Sequence, residues 1–99
     1  MIYIKVHQSY RKVVAVCDEE LVGKNFEEGQ MQLEVKESFF KGELVNEEEA
    51  IVLLRKHRAD DSTFNIVGDK SVEAASRAGI VSKKNVGGIG GIAFALVLL

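Results

Sequence analysis

Proline and tryptophan are absent from this chain, and cysteine occurs once, at Cys17. Without proline, turns have to be made by glycine, asparagine, aspartate and serine. With one cysteine there is no internal disulfide, so the 99 residues must be held by their core alone. Cys17 lies in an apolar stretch, and a buried free thiol points to a reducing compartment. Tyr3 and Tyr10 are the only tyrosines, so platforms for stacking bases are scarce. A net charge of −2 argues against a general nucleic-acid binder held by phosphate contacts. The apolar C-terminal run from Ile89 is about half the roughly 20 residues that a membrane-spanning helix needs. Met1 leads directly into strand-like sequence with no visible signal peptide. These absences lead us to expect a cytoplasmic protein with no membrane partner.

What is present describes one globular domain over residues 1–99. Hydrophobic residues make up 46% and charged residues 28%, outside the range of disordered chains. The charge is unevenly distributed. Residues 18–49 hold eleven acids and three bases, a net of −8, whereas the flanking segments together are +6. Either the basic ends fold back and neutralise the acidic middle, or the surface carries separate acidic and basic patches.

The stretch Val13 to Lys24 organises the rest. An apolar run without alternation, Val13 to Cys17, suits an interior strand covered on both faces. It delivers Asp18, Glu19 and Glu20 to a turn that Gly23 closes. Ahead of it, Ile2, Ile4 and Val6 alternate with polar residues as a strand with one buried face. Gln8 to Arg11 is a polar turn between the two. Phe26 reads as a core anchor in a loop, and Met31, Leu33 and Val35 as a half-exposed strand. Glu37 to Gly42 reads as a turn carrying Phe39 and Phe40, at least one of them buried. Asn46 with Glu49 forms a variant capping box. The helix that follows buries Ala50, Ile51, Leu53, Leu54 and His57 on one face and ends in Arg55, Lys56 and Arg58, where cations offset the helix dipole. Thr63 to Val67 is a short strand. Asp69 is expected to cap a second helix that Gly79 ends. Ser82 to Asn85 reads as a surface turn. Ile92 to Leu99 reads as a strand, either interior to the sheet or an arm against a second subunit; Ala and Leu also permit helix there.

In their order and spacing these residues are familiar. Val14 to Lys24, Phe26 to Gly29, Leu33 to Val35, Phe39 to Val45, Asn65 to Gly68 and Ile89 to Gly91 together resemble the archaeal domain of unknown function 424 family over nearly the whole chain. The resemblance implies a small archaeal cytosolic α/β protein with no established reaction, and makes RNA or the translation machinery the expected class of partner. The family's glycine motif is associated with a following Pro-His pair. Here Ala93 and Phe94 stand in that place, which weakens the case for catalysis there.

Several groups are candidate sites, each with a plainer reading beside it. Asp18, Glu20 and Lys24 could hold a ligand or divalent cation, or cap a turn and face solvent. Gly87, Gly88, Gly90 and Gly91 could cradle a phosphate, although their spacing matches neither common phosphate-loop pattern; they could equally form the entry to a strand. Arg55, Lys56, Arg58, Lys83 and Lys84, with Arg77, form the one plausible nucleic-acid face, or else solvated helix ends. Cys17, His7 and His57 lack metal-ligand spacing, and burial disfavours Cys17 as a nucleophile. No metal, cofactor or complete catalytic constellation is expected.

The expected fold is a small α/β (α+β) domain: a mixed sheet of about five strands with two main helices. The leading functional expectation is a non-catalytic binding module, RNA- or translation-associated. One alternative is a small ligand- or metal-binding enzyme with a site between the Asp18–Lys24 turn and the Gly87–Gly91 loop. The other is a homodimeric structural subunit.

Overall fold

The computed structural model describes residues 1–98. Strands β1 (Ile2–His7) and β2 (Val13–Asp18) form an antiparallel pair joined by the polar turn. A single 3-10 turn at Glu19–Leu21 leads into β3 (Asn25–Glu28) and β4 (Met31–Glu34), a separate two-stranded hairpin. Then follow α1 (Glu37–Phe40), β5 (Glu43–Val45), α2 (Glu47–Ala59), β6 (Thr63–Val67) and α3 (Asp69–Arg77). A 3-10 turn at Lys83–Asn85 precedes β7 (Val86–Ile89) and β8 (Ile92–Val97).

The fold is the expected α+β domain, with a six-stranded main sheet in the order β5-β1-β2-β6-β8-β7. It is mixed: β2 and β6 run parallel, and the other pairings are antiparallel. The strand pleat divides the core in two. On one face Ile2, Ile4, Val14, Val16, Phe64 and Ile66 pack under α2 and α3. On the other, Ala15, Cys17 and Val67 pack under Leu21, Val35 and Phe40, with the β3–β4 hairpin and α1 as the cover. Both faces of β2 are therefore filled, which is why its apolar run lacks alternation.

Several elements differ from the sequence expectation. Phe26 lies in β3, paired with Leu33, rather than in a loop. The turn at Glu37 is the short helix α1, and it buries Phe40. The Ile92 run, by contrast, is the expected strand, and of its two expected settings it takes the interior one, between β6 and β7; its last residue, Leu99, lies outside the described residues. The glycine segment is β7 itself plus a hairpin turn. Ile89 pairs with Ile92, and Gly90 and Gly91 have φ of +56° and +80°, the backbone of a type I′ turn. Gly87 is required for a different reason: a Cβ there would stand 2.9 Å from the ring of Phe94. The phenylalanine in the Pro-His position is thus a packing residue.

Candidate nucleic-acid interface

The sheet has two ends, and the chain sends charge of opposite sign to each. β2 and β6 stop at Asp18 and Val67, and α3 starts beside them: Lys70 and Ser71 donate their N–H groups to the Asp18 carboxylate at 3.1 and 2.8 Å. α2 starts at the same end, because Val45 pairs with Ile2 and Ile2 with Asp18. Both helices then run to the opposite end. There the N–H of Thr63 donates to the Lys12 carbonyl at 2.9 Å, so the last turn of α2 reaches the β1–β2 turn.

At the first end are Glu19, Glu20, Glu47, Glu48, Glu49 and Asp69, all in the first turns of helices. Asp18 is different in kind. It is 3% exposed, and the Ser71 hydroxyl also donates to it at 2.7 Å. The residue at the cap position of α3 is Gly68, not Asp69, and it brings no side chain. Asp18 reaches across from β2 and supplies the bonds an N-cap side chain would make. Gly68 has φ +108°, and a Cβ there would lie 2.3 Å from the Asp18 carboxyl carbon. The positive end of α3 is therefore already occupied by an internal anion.

The other members of the first candidate site disperse. Glu20 pairs with Lys70 at 3.7 Å, and bonding from its own backbone N–H, with help from Lys70, holds its carboxyl below the usual value. Lys24 is exposed at the neck of the β3–β4 hairpin, where its carbonyl accepts from Val35 at 2.9 Å. Asp18 and Gly88 share one cross-strand row, but β6 and β8 lie between them, a span of roughly 14 Å at normal strand spacing. Gly90 donates its N–H to Glu28 at 3.3 Å. Among the described residues, no three His, Cys, Asp or Glu side chains form a group that could hold a metal ion. Burial pushes the Cys17 thiol up to about 12, aided by Asp18 and Glu20, so it stays protonated. His7 is half-buried, stacks on Phe39 with ring centroids 4.6 Å apart and bonds the Phe39 carbonyl through Nε2 at 2.8 Å.

The second end gathers the bases. Arg55 and Arg58 line one open depression of about 500 Å³ with Ala59, Asp61 and Ala78. The Arg55 guanidinium donates to the Arg77 carbonyl at 3.1 Å, and Arg58 lies beside Gly79. Both thus also offset the negative end of α3. Lys56 is exposed on the same last turns of α2. Lys83 lines a separate depression on the far flank of α3, with Val72, Ser76 and Val86, and Lys84 is exposed beside it. Arg77 is committed elsewhere, to Glu73 at 3.1 Å and Glu47 at 3.8 Å.

Two residues at this end escape a reading of the sequence. Tyr10 is fully exposed at the tip of the β1–β2 turn, and Arg11 beside it is exposed. Lys12 joins this turn to α2 through Asp60 at 2.9 Å. The available signal is positional, since a tyrosine in a polar hairpin turn has nothing to pack against. His57, expected on the inward face of this helix, is held below its ordinary value, chiefly by burial and then by Lys12.

A mixed six-stranded sheet with helices on one face, a hairpin on the other and opposite charge at its two ends defines a small α+β domain without metal-binding clusters among its described residues. The chain belongs to the family described as a protein of unknown function, DUF424, whose model matches residues 6–99. It is also similar to the crystal structure of an uncharacterized conserved protein from Methanopyrus kandleri, with a TM-score of 0.88 and 20% identity over 97% of this chain and 89% of that one. At that identity the likeness speaks for the fold. No curated protein matches the chain. No helix among the described residues is long and apolar enough to cross a membrane.

Proposed function

We propose that this protein is a non-catalytic binding module whose basic end takes single-stranded RNA. The observation that carries this reading is the meeting of Tyr10 and Arg11 with the last turns of α2 through the Lys12–Asp60 bridge. An exposed ring offers a base a stacking surface, and the surrounding cations Arg55, Lys56 and Arg58 offer phosphates a path. Lys83 and Lys84 extend the path around α3. A net negative charge does not oppose this: the acids of the helix N-termini sit at the other end and are screened beyond a Debye length of about 8–10 Å, and of the two acids at the basic end Asp60 is paired with Lys12, which leaves Asp61 among the arginines. The free, buried Cys17 fits a reducing cytosol.

Fluorescence anisotropy with a labelled single-stranded RNA tests the reading. Arg55→Ala, Lys56→Ala and Arg58→Ala combined should lower affinity at least tenfold. They should also flatten the dependence of log affinity on log salt by about 2, at roughly 0.7 for each phosphate that is no longer neutralised. Tyr10→Ala should weaken binding while leaving the salt dependence unchanged. Equal binding by the parent and the triple variant would remove the reading.

A further inference from the structure

Acid and exposed apolar surface also meet beside β5, in a groove that ends one helical turn short of Lys56 on α2. β5 is an edge strand: it pairs with β1 on one side, and the sheet continues no further on the other. Among the described residues its outer N–H and C=O groups have no strand partner, which leaves a template for one more strand. The opposite edge, β7, is better protected. The β3–β4 hairpin lies against it, and Glu28 bonds the N–H of Gly90 at its turn.

The side chains around β5 favour an added strand on both of its faces. Glu43 and Val45 share the helix face with Ile4 and Ile2, while Leu44 points to the opposite face with Tyr3. On the helix face, Glu43 lines an open groove of about 400 Å³ with Glu48, Glu49, Val52 and Leu53 of α2. Val52 is 65% exposed and Leu44 is 39% exposed, each on a different side of the same edge. A strand laid beside β5 would send alternate side chains to Val52 and Leu53 on one face and to Leu44 on the other. Glu43 and Glu48 have no ion-pair partner among the described residues.

We infer that the β5 edge is a docking site for an extended, basic segment of a partner protein, bound by strand addition. Charge selects this occupant. A second copy paired edge to edge would bring a second acidic groove, again with Glu43, Glu48 and Glu49 and with no cation lining it, up to the first, so it offers no charge complementarity. The C-terminal end of this chain is unsuited as well, since β8 lies four places away across the sheet. A segment alternating apolar residues with Lys or Arg satisfies the backbone edge, lays its cations on the helix face against Glu43, Glu48 and Glu49 with their aliphatic stems along Val52, and sets its apolar residues against Leu44 on the opposite face. This edge meets the proposed RNA-binding cations only near Lys56, one helical turn from Val52, and Leu44, on the opposite face, reports strand docking separately from RNA binding.

The probe is a labelled seven-residue peptide alternating lysine and valine, with its glutamate–valine counterpart as control, followed by anisotropy on the full chain. The expected result is binding of the lysine peptide and none of the glutamate peptide. Glu48→Lys with Val52→Lys should weaken the lysine peptide at least tenfold. Both positions face solvent, and circular dichroism should show the fold unchanged. Leu44→Lys, on the opposite face, should weaken it independently. No binding at millimolar peptide overturns the proposal. So does equal binding by the parent and these variants, which would place the peptide on another acidic surface. Sedimentation showing a dimer that Val52→Lys dissociates would assign the edge to a second copy and overturn it too.

Discussion

Asp18 is the residue on which the acidic end depends. A buried carboxylate is tolerated only when its oxygens are satisfied, and here two N–H groups and one hydroxyl converge on it. Asn in its place keeps one accepting oxygen but turns an amide donor toward donors. Asp18→Asn should therefore lower the unfolding free energy by about 2–3 kcal/mol, in line with hydrogen bonds to a charged group. Ser71→Ala, which removes one of the three donors, should cost about 1 kcal/mol. Gly68→Ala should be the most severe of the three, because it combines a positive φ with a collision against the carboxylate. Urea denaturation of the three variants checks this order. A Gly68→Ala protein as stable as the parent would contradict the geometry. Cys17, next in the chain, gives a second expectation. It is fully buried and protonated up to about pH 12, and the thiolate is the reactive form. A thiol reagent at pH 8 should label it at the rate of the protein's opening, and rapid complete labelling of the native protein would show that the β2 core is accessible.

At the scale of elements, one side chain of α2 ties stability to pH. Burial and Lys12 hold His57 below its ordinary value of 6.5, so the fold prefers the neutral ring while the unfolded chain takes up a proton more readily. Stability from this group is complete above pH 6.5 and is lost as pH falls toward the lowered folded value. Thermal unfolding between pH 7.5 and 5 should show a decline in midpoint that His57→Gln flattens; parallel curves for the two proteins would exclude the effect. The elements also show what the sequence can reveal. β1, β2, α2 and α3 are legible, because their periodicity, the Asn46–Glu49 capping box and Gly79 are local signals. The bond from Glu49 N–H to Asn46 at 2.8 Å follows that reading. What stays hidden depends on partners distant in sequence. Asp18 caps α3 from 53 residues away, whereas local sequence assigns the cap to the adjacent Asp69. Phe26 and Leu33 pair across a hairpin whose turn residues, Gly29 and Gln30, mark it only weakly. That at least one of Phe39 and Phe40 is buried is legible, but that it is Phe40 depends on how α1 closes over β1 and β2.

The molecule as a whole is polarised. The acidic middle of the sequence and its basic flanks neutralise one another in part, through Lys70–Glu20 and Arg77–Glu47, while the topology sends the other helix-terminal charges to opposite ends, because α2 and α3 start at one end of the sheet and finish at the other. Part of this follows from helix dipoles, which favour acids at N-termini and bases at C-termini. That rule accounts for Arg55 and Arg58 around the end of α3. It does not account for Tyr10 and Arg11, which project from a hairpin tip with no helix end to serve. Their presence beside the α2 cations turns a stabilising arrangement into a candidate interface. The basic pair Lys83–Lys84 is legible as a surface turn, and Asn85 holds that turn by accepting from the Ser82 N–H and hydroxyl at 3.3 and 3.0 Å. Its position across α3 from Arg55 is not legible, since it depends on how β7 joins the sheet. The most direct test is a two-dimensional amide NMR titration of the 15N-labelled protein with a short single-stranded RNA. Shifts should concentrate in residues 8–12, 55–61 and 82–85, with Glu19, Glu48 and the β3–β4 hairpin unmoved. Shifts centred on the acidic end, or none at millimolar RNA, would contradict RNA binding at the basic end.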